Sequence, residues 1–292
     1  MTKLIKGTRL RHQSKADWGV GQVLEDENGQ FVKIFFEGAG EVSLAPSALS
    51  KLTVISGTEA QSMLLDHMHL PGEGKTEPMV TIQQARTRLL EKFPGGLHGP
   101  RMRQEERMYK DQLRVLAQEL FGLSVANELL ASGQYQEIVV RAGRLIQDVH
   151  CNFPSKFEKM RFRDGIRALS DSKAFAVALC NWIIPKVPDE AAFDAFVREL
   201  DVIECAKWPV LTTFRFLLHP KIDVMIKPEN LQHAANLSRF EINYKPSLNW
   251  LTYTSVLGFY QYVKGKIADL EPADMIDVQN FIWCIDPKMY PS

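Results

Sequence analysis

The stretch Asp17-Trp18-Gly19-Val20-Gly21-Gln22-Val23 decides how this chain divides. Gly19 and Gly21 fall on one side of a short apolar strand, and their missing side chains permit the sharp coiling that a very small sheet requires. Working outward, residues 4–11 read as the preceding strand and residues 19–25 as the second. Glu27-Asn28-Gly29 is a hairpin turn signal, because Asn-Gly supplies positive φ at low cost. Phe31-Val32-Lys33-Ile34-Phe35-Phe36 alternates with period two, setting Val32, Ile34 and Phe36 on one face and Phe31, Lys33 and Phe35 on the other. Glu37-Gly38-Ala39-Gly40 turns the chain into a fourth strand over 41–44, and Ala45-Pro46-Ser47-Ala48-Leu49 suits one helical turn before a last strand over 51–54. Five short strands with a helical turn before the last predict a small all-β SH3-like or Tudor-like barrel over residues 1–55.

Residues 56–79 contain Gly57, Pro71, Gly72, Gly74 and Pro78 and read as a linker, with a short helix over 58–68. From Val80 onward the punctuation is helical. Helices are expected over 81–93, 102–121, 123–131, 134–150, 155–169, 172–184, 189–205, 208–218, 228–237, 247–267 and 272–284. Ser155-Lys156-Phe157-Glu158 is a capping box, and Pro272 is placed like a first-turn proline with Asp274 and Asp277 favouring the positive helix end. No repeat of 30 to 45 residues recurs, so residues 80–292 predict an irregular all-helical domain of about ten helices, larger than the barrel.

Composition narrows the function classes. The chain has 292 residues, 45% of them hydrophobic, and balances 35 basic against 35 acidic side chains, so nucleic-acid binding must come from a local patch. No apolar run approaches the roughly 18 residues of a membrane span, and the first residues begin no secretory leader. Cys151, Cys180, Cys205 and Cys284 form no C-x-x-C pair and sit among apolar neighbours, which predicts buried reduced thiols and a cytoplasmic compartment. His67 and His69 lack a third ligand at useful spacing, so no metal is expected. The chain contains no G-x-x-x-x-G-K-[ST] loop, nucleophile elbow or H-E-x-x-H, and neither a cofactor nor a catalytic residue is assigned.

One resemblance is specific. Lys6-Gly7-Thr8-Arg9-Leu10-Arg11-His12, the Trp18 stretch, and Phe35-Phe36-Glu37-Gly38-Ala39-Gly40 resemble the Tudor-like domain at the carboxyl end of UvrD/PcrA-type repair helicases. They are more distantly similar to the polymerase-interacting domains of CarD and Mfd. The resemblance covers about 50 of the 292 residues. It implies a barrel that docks on the β subunit of RNA polymerase or lies close to nucleic acid. Arg9, Arg11, Trp18, Phe31, Lys33 and Phe35 are the candidate interface residues. Trp18 reads equally as an exposed anchor or as a cap on the barrel core, and the Phe31/Phe35 face as a partner surface or as packing against the helical domain.

The helical region offers two basic stretches. Arg101, Arg103, Arg107, Lys110 and Arg114 are phosphate-binding candidates; the last four recur at intervals of four, three and four, which places them on one face of a long helix. Gly95-Gly96-Leu97-His98-Gly99-Pro100 just before them would offer backbone amides. The competing reading is a solvated face laced with Glu105, Glu106 and Asp111. Lys156, Lys159, Arg161, Arg163 and Arg167 make a second stretch with the same two readings. Asp274, Asp277, Gln279 and Asn280 are the polar residues expected at a pocket, while Trp208, Trp250, Tyr253, Phe281 and Trp283 read as core. The leading expectation is a non-enzymatic, nucleic-acid-associated adaptor whose barrel docks on a protein or on DNA and whose helical body gives a second contact. The alternatives are a nucleic-acid-acting enzyme or effector targeted by the barrel, and a structural subunit of a bacterial, possibly antiviral, assembly.

Overall fold

The computed structural model describes residues 4–26, 30–69, 78–286 and 288. The amino-terminal part is a five-stranded antiparallel sheet: β1 (Arg9–His12), β2 (Val20–Val23), β3 (Val32–Phe36), β4 (Gly40–Leu44) and β5 (Leu52–Val54). Its order is β4-β3-β2-β1-β5, so the last strand returns to pair with the first. Alternation along β3 divides the side chains as the pattern requires: Val32, Ile34 and Phe36 join Leu4, Leu10 and Val23 in a small core of their own. Gly21 pairs with Phe36, and a Cβ at Gly21 would stand 2.6 Å from that ring, so the glycine makes room for the aromatic that fills the little core. The Asn28-Gly29 turn lies outside the described residues.

Helices follow: α1 (Met63–Asp66), α2 (Ile82–Lys92), α3 (Pro100–Met102), α4 (Met108–Phe121), α5 (Leu123–Ala131), α6 (Tyr135–Gln147) and α7 (Lys156–Arg167). The series continues with α8 (Ser172–Ile183), α9 (Glu190–Val202), α10 (Trp208–Leu218), α11 (Pro228–Leu237), α12 (Trp250–Lys266) and α13 (Met275–Trp283). Caps explain several boundaries. Thr81 and Gln84 form a reciprocal capping box on α2, and Ser155 and Glu158 form the one expected on α7. The last helix starts later than expected, because Asp274 and not Pro272 begins it: the Asp274 carboxylate accepts from the Ile276 amide. No helix among the described residues is long and apolar enough to cross a membrane.

The two parts share a core. Val20, Leu24, Phe35 and Ile55 of the β domain belong to the main hydrophobic cluster of the helical body. The segment expected as linker takes part, with Leu64 and Leu65 of α1 buried in the same cluster. Polar contacts hold the rim: Arg9 Nη2 donates to Asp66 at 2.8 Å, Lys266 Nζ donates to Glu37 Oε2 at 2.6 Å, and Ser62 Oγ donates to Glu37 Oε1. His67 stacks on Phe240 and His69 pairs with Glu241 at 2.8 Å, where Met68 and Phe240 form an isolated antiparallel bridge. The His-x-His pair is thus part of that seam. The Gly72-Glu73-Gly74-Lys75 centre of the expected linker lies outside the described residues.

Candidate functional site

The most concentrated chemistry lies where α4 meets the start of α13, and it begins with a local irregularity. Residues 103–107 form a π-helical turn between α3 and α4. Such a turn inserts a residue relative to a regular helix, so side chains before and after it no longer share a face. Arg103 therefore parts from the others. It lines an outer groove with Pro100, Gln104, Met108, Gln112 and Val115, while Arg107, Lys110 and Arg114 address α13.

Arg107 is the centre. Its Nη1 donates to Asp274 Oδ1 at 2.9 Å and Asp277 Oδ1 at 2.8 Å, its Nη2 to Asp274 Oδ2 at 2.8 Å, and its Nε to Asp111 at 3.0 Å. A planar guanidinium can satisfy three carboxylates at once in this way because its donors are held in a rigid fork. Burial works against the cation, yet the bonds and charges of Asp111, Asp274 and Asp277 outweigh it and hold Arg107 above the ordinary arginine range. Asp277 Oδ2 also accepts from the Ala273 amide at 2.9 Å, so both aspartates serve the start of α13 as well. Arg114 reaches Asp111 at 3.3 Å and Asp274 at 3.4 Å. Lys110, almost wholly buried, donates to Asn280 Oδ1 at 2.5 Å and lies 3.4 Å from Glu106. Burial pulls its pKa down to about 8.

The phosphate-binding candidates and the pocket candidates thus meet, as partners. Arg107, Lys110 and Arg114 face Glu106, Asp111, Asp274 and Asp277, which leaves no excess positive charge at the seam. Gln279 and Asn280 are buried within it; Gln279 Oε1, Asn280 Nδ2 and Arg114 Nε have no hydrogen-bond partner among the described residues. Arg101 is spent on Glu105 Oε1 at 2.8 Å and the Lys92 carbonyl at 2.9 Å. The glycine-rich loop before α3 uses its amides to close on itself, Gly96 donating to the Phe93 carbonyl and Gly99 to that of Gly96.

A second buried charge centres on Arg215, which the sequence reading did not single out. Arg215 and Asp223 are fully buried, with Nε donating to Oδ2 at 2.6 Å, and Tyr253 donates to Asp223 Oδ1 at 2.7 Å. Arg215 also donates to the carbonyls of Trp182, Pro185 and Lys186, and its guanidinium lies 4.8 Å over the Trp182 ring. His219, its pKa lowered by burial, bonds the Ile183 carbonyl at 2.6 Å. Arg215 and the His219 ring collect orphan carbonyls at the carboxyl end of α8, where the helix dipole welcomes the arginine's positive charge. The signal available in sequence was an arginine set among Thr212, Thr213, Phe214, Phe216 and Leu217, an apolar run where a cation persists only with partners.

Elsewhere the described residues offer clefts and not an assembled catalytic constellation. An open cleft of about 540 Å³ is lined by Phe153, Ser155, Glu158, Pro209, Lys227 and Asn230. Lys227 donates there to the Asn152 carbonyl at 3.1 Å and lies 5.4 Å over the Trp283 ring; burial lowers its pKa. The four cysteines are buried free thiols, and burial raises every one, Cys205 to about 11, which favours the neutral thiol over the thiolate.

The candidates of the β domain divide between inside and outside. Phe35 packs into the helical body and Arg9 bonds Asp66. Trp18 is half-buried, its ring tilted against Phe36 at 4.9 Å and His12 at 5.1 Å between centroids, so it caps the small core. Arg11 is exposed, Phe31 is 58% exposed, and Lys33 pairs with Glu25 at 3.1 Å.

Comparison with known proteins adds one match. A family model described as a protein of unknown function (DUF3553) covers residues 4–54, the β domain alone. No curated protein and no solved structure matches the chain.

Proposed function

We propose that the protein is a non-enzymatic, nucleic-acid-associated adaptor, and that its β domain is a Tudor-like barrel that docks on a protein partner, RNA polymerase by resemblance, or on DNA. One observation carries the reading: the β domain is fastened to the helical body by the Phe35 face and by Arg9, which leaves Arg11 and Phe31 on the outside. A binding module held rigidly against a second body presents both surfaces in one orientation, which is what an adaptor requires. The helical body supplies the second contact. Arg103 remains exposed for it, whereas Arg107, Lys110 and Arg114 would have to leave their carboxylates.

The test is capture by the full-length chain from a bacterial lysate, with and without nuclease, compared with Arg11→Glu and Phe31→Ala. Polymerase retained after nuclease and lost in the variants is the expected result. Loss of all partners on nuclease treatment would transfer the primary contact to nucleic acid. Capture that ignores both substitutions would remove the barrel from the docking role.

A further inference from the structure

The second basic stretch has a different fate from the first. On α7, Phe162 alone is fully buried, and helical periodicity sets Lys156, Phe157, Met160, Arg161, Asp164 and Arg167 on the opposite face. Phe157 is 79% exposed and Met160 48% exposed. Val149, in the loop before α7, is 88% exposed as well. Leaving an aromatic ring and a long thioether side chain side by side in water is costly for a surface with no partner.

The charges around these side chains identify the partner. Lys156, Arg161 and Arg167 share that face with Phe157 and Met160, and Arg163 flanks it. Of the acids on the helix, Asp164 is held by Arg163 at 2.8 Å and Glu158 by the Ser155 amide in the capping box. Arg161 pairs with Glu204 at 2.7 Å, both groups largely exposed. Such exposed pairs exchange easily for a phosphate, because little binds them together in water. An apolar surface ringed by cations suits a polyanion that carries its own flat apolar faces.

We infer that the outer face of α7 binds single-stranded nucleic acid, with Phe157 stacking on a base and Lys156, Arg161, Arg163 and Arg167 following the phosphates. Single strands are favoured over duplex because an exposed ring needs an unstacked base to receive it. The inference rests on the proposed nucleic-acid association and gives it a substrate class and a place in the fold.

Fluorescence anisotropy with the full-length protein and a labelled oligothymidylate of about 16 nucleotides tests it. Phe157→Ala is expected to weaken binding roughly tenfold, with Phe157→Trp restoring it. Lys156→Glu combined with Arg167→Glu should weaken binding and lower its salt slope, without changing the melting temperature. Binding that is indifferent to all these changes would overturn the α7 site while leaving nucleic-acid association standing. Binding of duplex but not of oligothymidylate would overturn the single-strand assignment. No binding of either at low salt would overturn both this inference and the proposed association. Phe157-dependent sedimentation with phosphatidylserine vesicles, without oligonucleotide binding, would assign the face to a membrane surface instead.

Discussion

Two helices of this protein carry nearly the same string of cations and use them in opposite ways. On α4, Arg107, Lys110 and Arg114 turn inward and meet Asp274, Asp277 and Asn280 at the head of α13. On α7, Lys156, Arg161, Arg163 and Arg167 turn outward around an exposed phenylalanine. Basic periodicity alone therefore does not distinguish an internal brace from a binding face. What separates them is whether a second helix presents acids at matching intervals. The three- and four-residue spacing of Arg107, Lys110 and Arg114 has its complement in two acids and an amide, Asp274, Asp277 and Asn280, spaced by three; among the described residues the α7 cations meet Asp164, on their own helix, and Glu204 at an exposed turn.

The contrast breaks most readily at Arg107. Arg107→Ala would leave Asp274 and Asp277, each about 95% buried, without their shared cation. Removing one partner of a buried pair costs about 3 to 5 kcal/mol, and the 13% exposure of Arg107 favours the lower end. A fall in melting temperature of roughly 6 °C is expected by calorimetry. An unchanged melting point would show that the seam is no brace and would restore α4 as a candidate binding surface.

Lys110 sharpens the contrast through pH. Its folded pKa, about 8, lies below the ordinary lysine value of 10.5, so the buried charge opposes folding. Below pH 8 both states carry the proton and the full penalty applies. Between 8 and 10.5 the folded state sheds a proton that the unfolded chain retains, and stability rises with pH. The gain amounts to at most about 3 kcal/mol across that window. Denaturant titrations of wild type and Lys110→Met from pH 7.5 to 9.5 should differ in slope, the variant lacking the rise. Taking the difference cancels the buried Tyr260 and Tyr262, whose raised pKa values act in the opposite sense above pH 10. Parallel slopes would refute the assignment of a charged, desolvated lysine.

Glu37 sits between these extremes, accepting from Lys266 and Ser62 where the β domain meets the body. Glu37→Gln keeps the shape and removes the charge, and should cost about 1 to 2 kcal/mol, less at high salt. Equal stability of the variant at low and high salt would show that the apolar face of Phe35 holds the domains together unaided.

The architecture was legible because its signals are local. Period-two alternation at Phe31 to Phe36 and the capping box at Ser155 and Glu158 each speak within a few residues. The Phe31/Phe35 face was ambiguous on sequence grounds, and the fold resolves it residue by residue: Phe35 inward, Phe31 outward. The seam was illegible for the opposite reason. Arg107 and Asp274 are 167 residues apart, and the π-helical turn that detaches Arg103 from the cationic row has no signature in side-chain spacing. Arg215 was missed because an arginine reads as surface until the carbonyls it collects are in place.

The smallest effect is the sharpest control. Arg161 and Glu204 form an ion pair at 2.7 Å, against 2.8 Å for the shortest at the seam, yet the two side chains are 61% and 74% exposed. Water already solvates both charges, so the pair gains little Coulomb energy and orders two long side chains to obtain it. Arg161→Ala is the substitution to make. Glu204 has left-handed backbone at φ 51°, so changing it would mix backbone strain into the result. The expected change in stability is within about 0.5 kcal/mol, against about 3 kcal/mol at Arg107, whose bonds are no shorter. A loss above about 1 kcal/mol would mean that the α7 cations, like those of α4, are committed to holding the fold, and the outward-facing reading of that helix would fail with it.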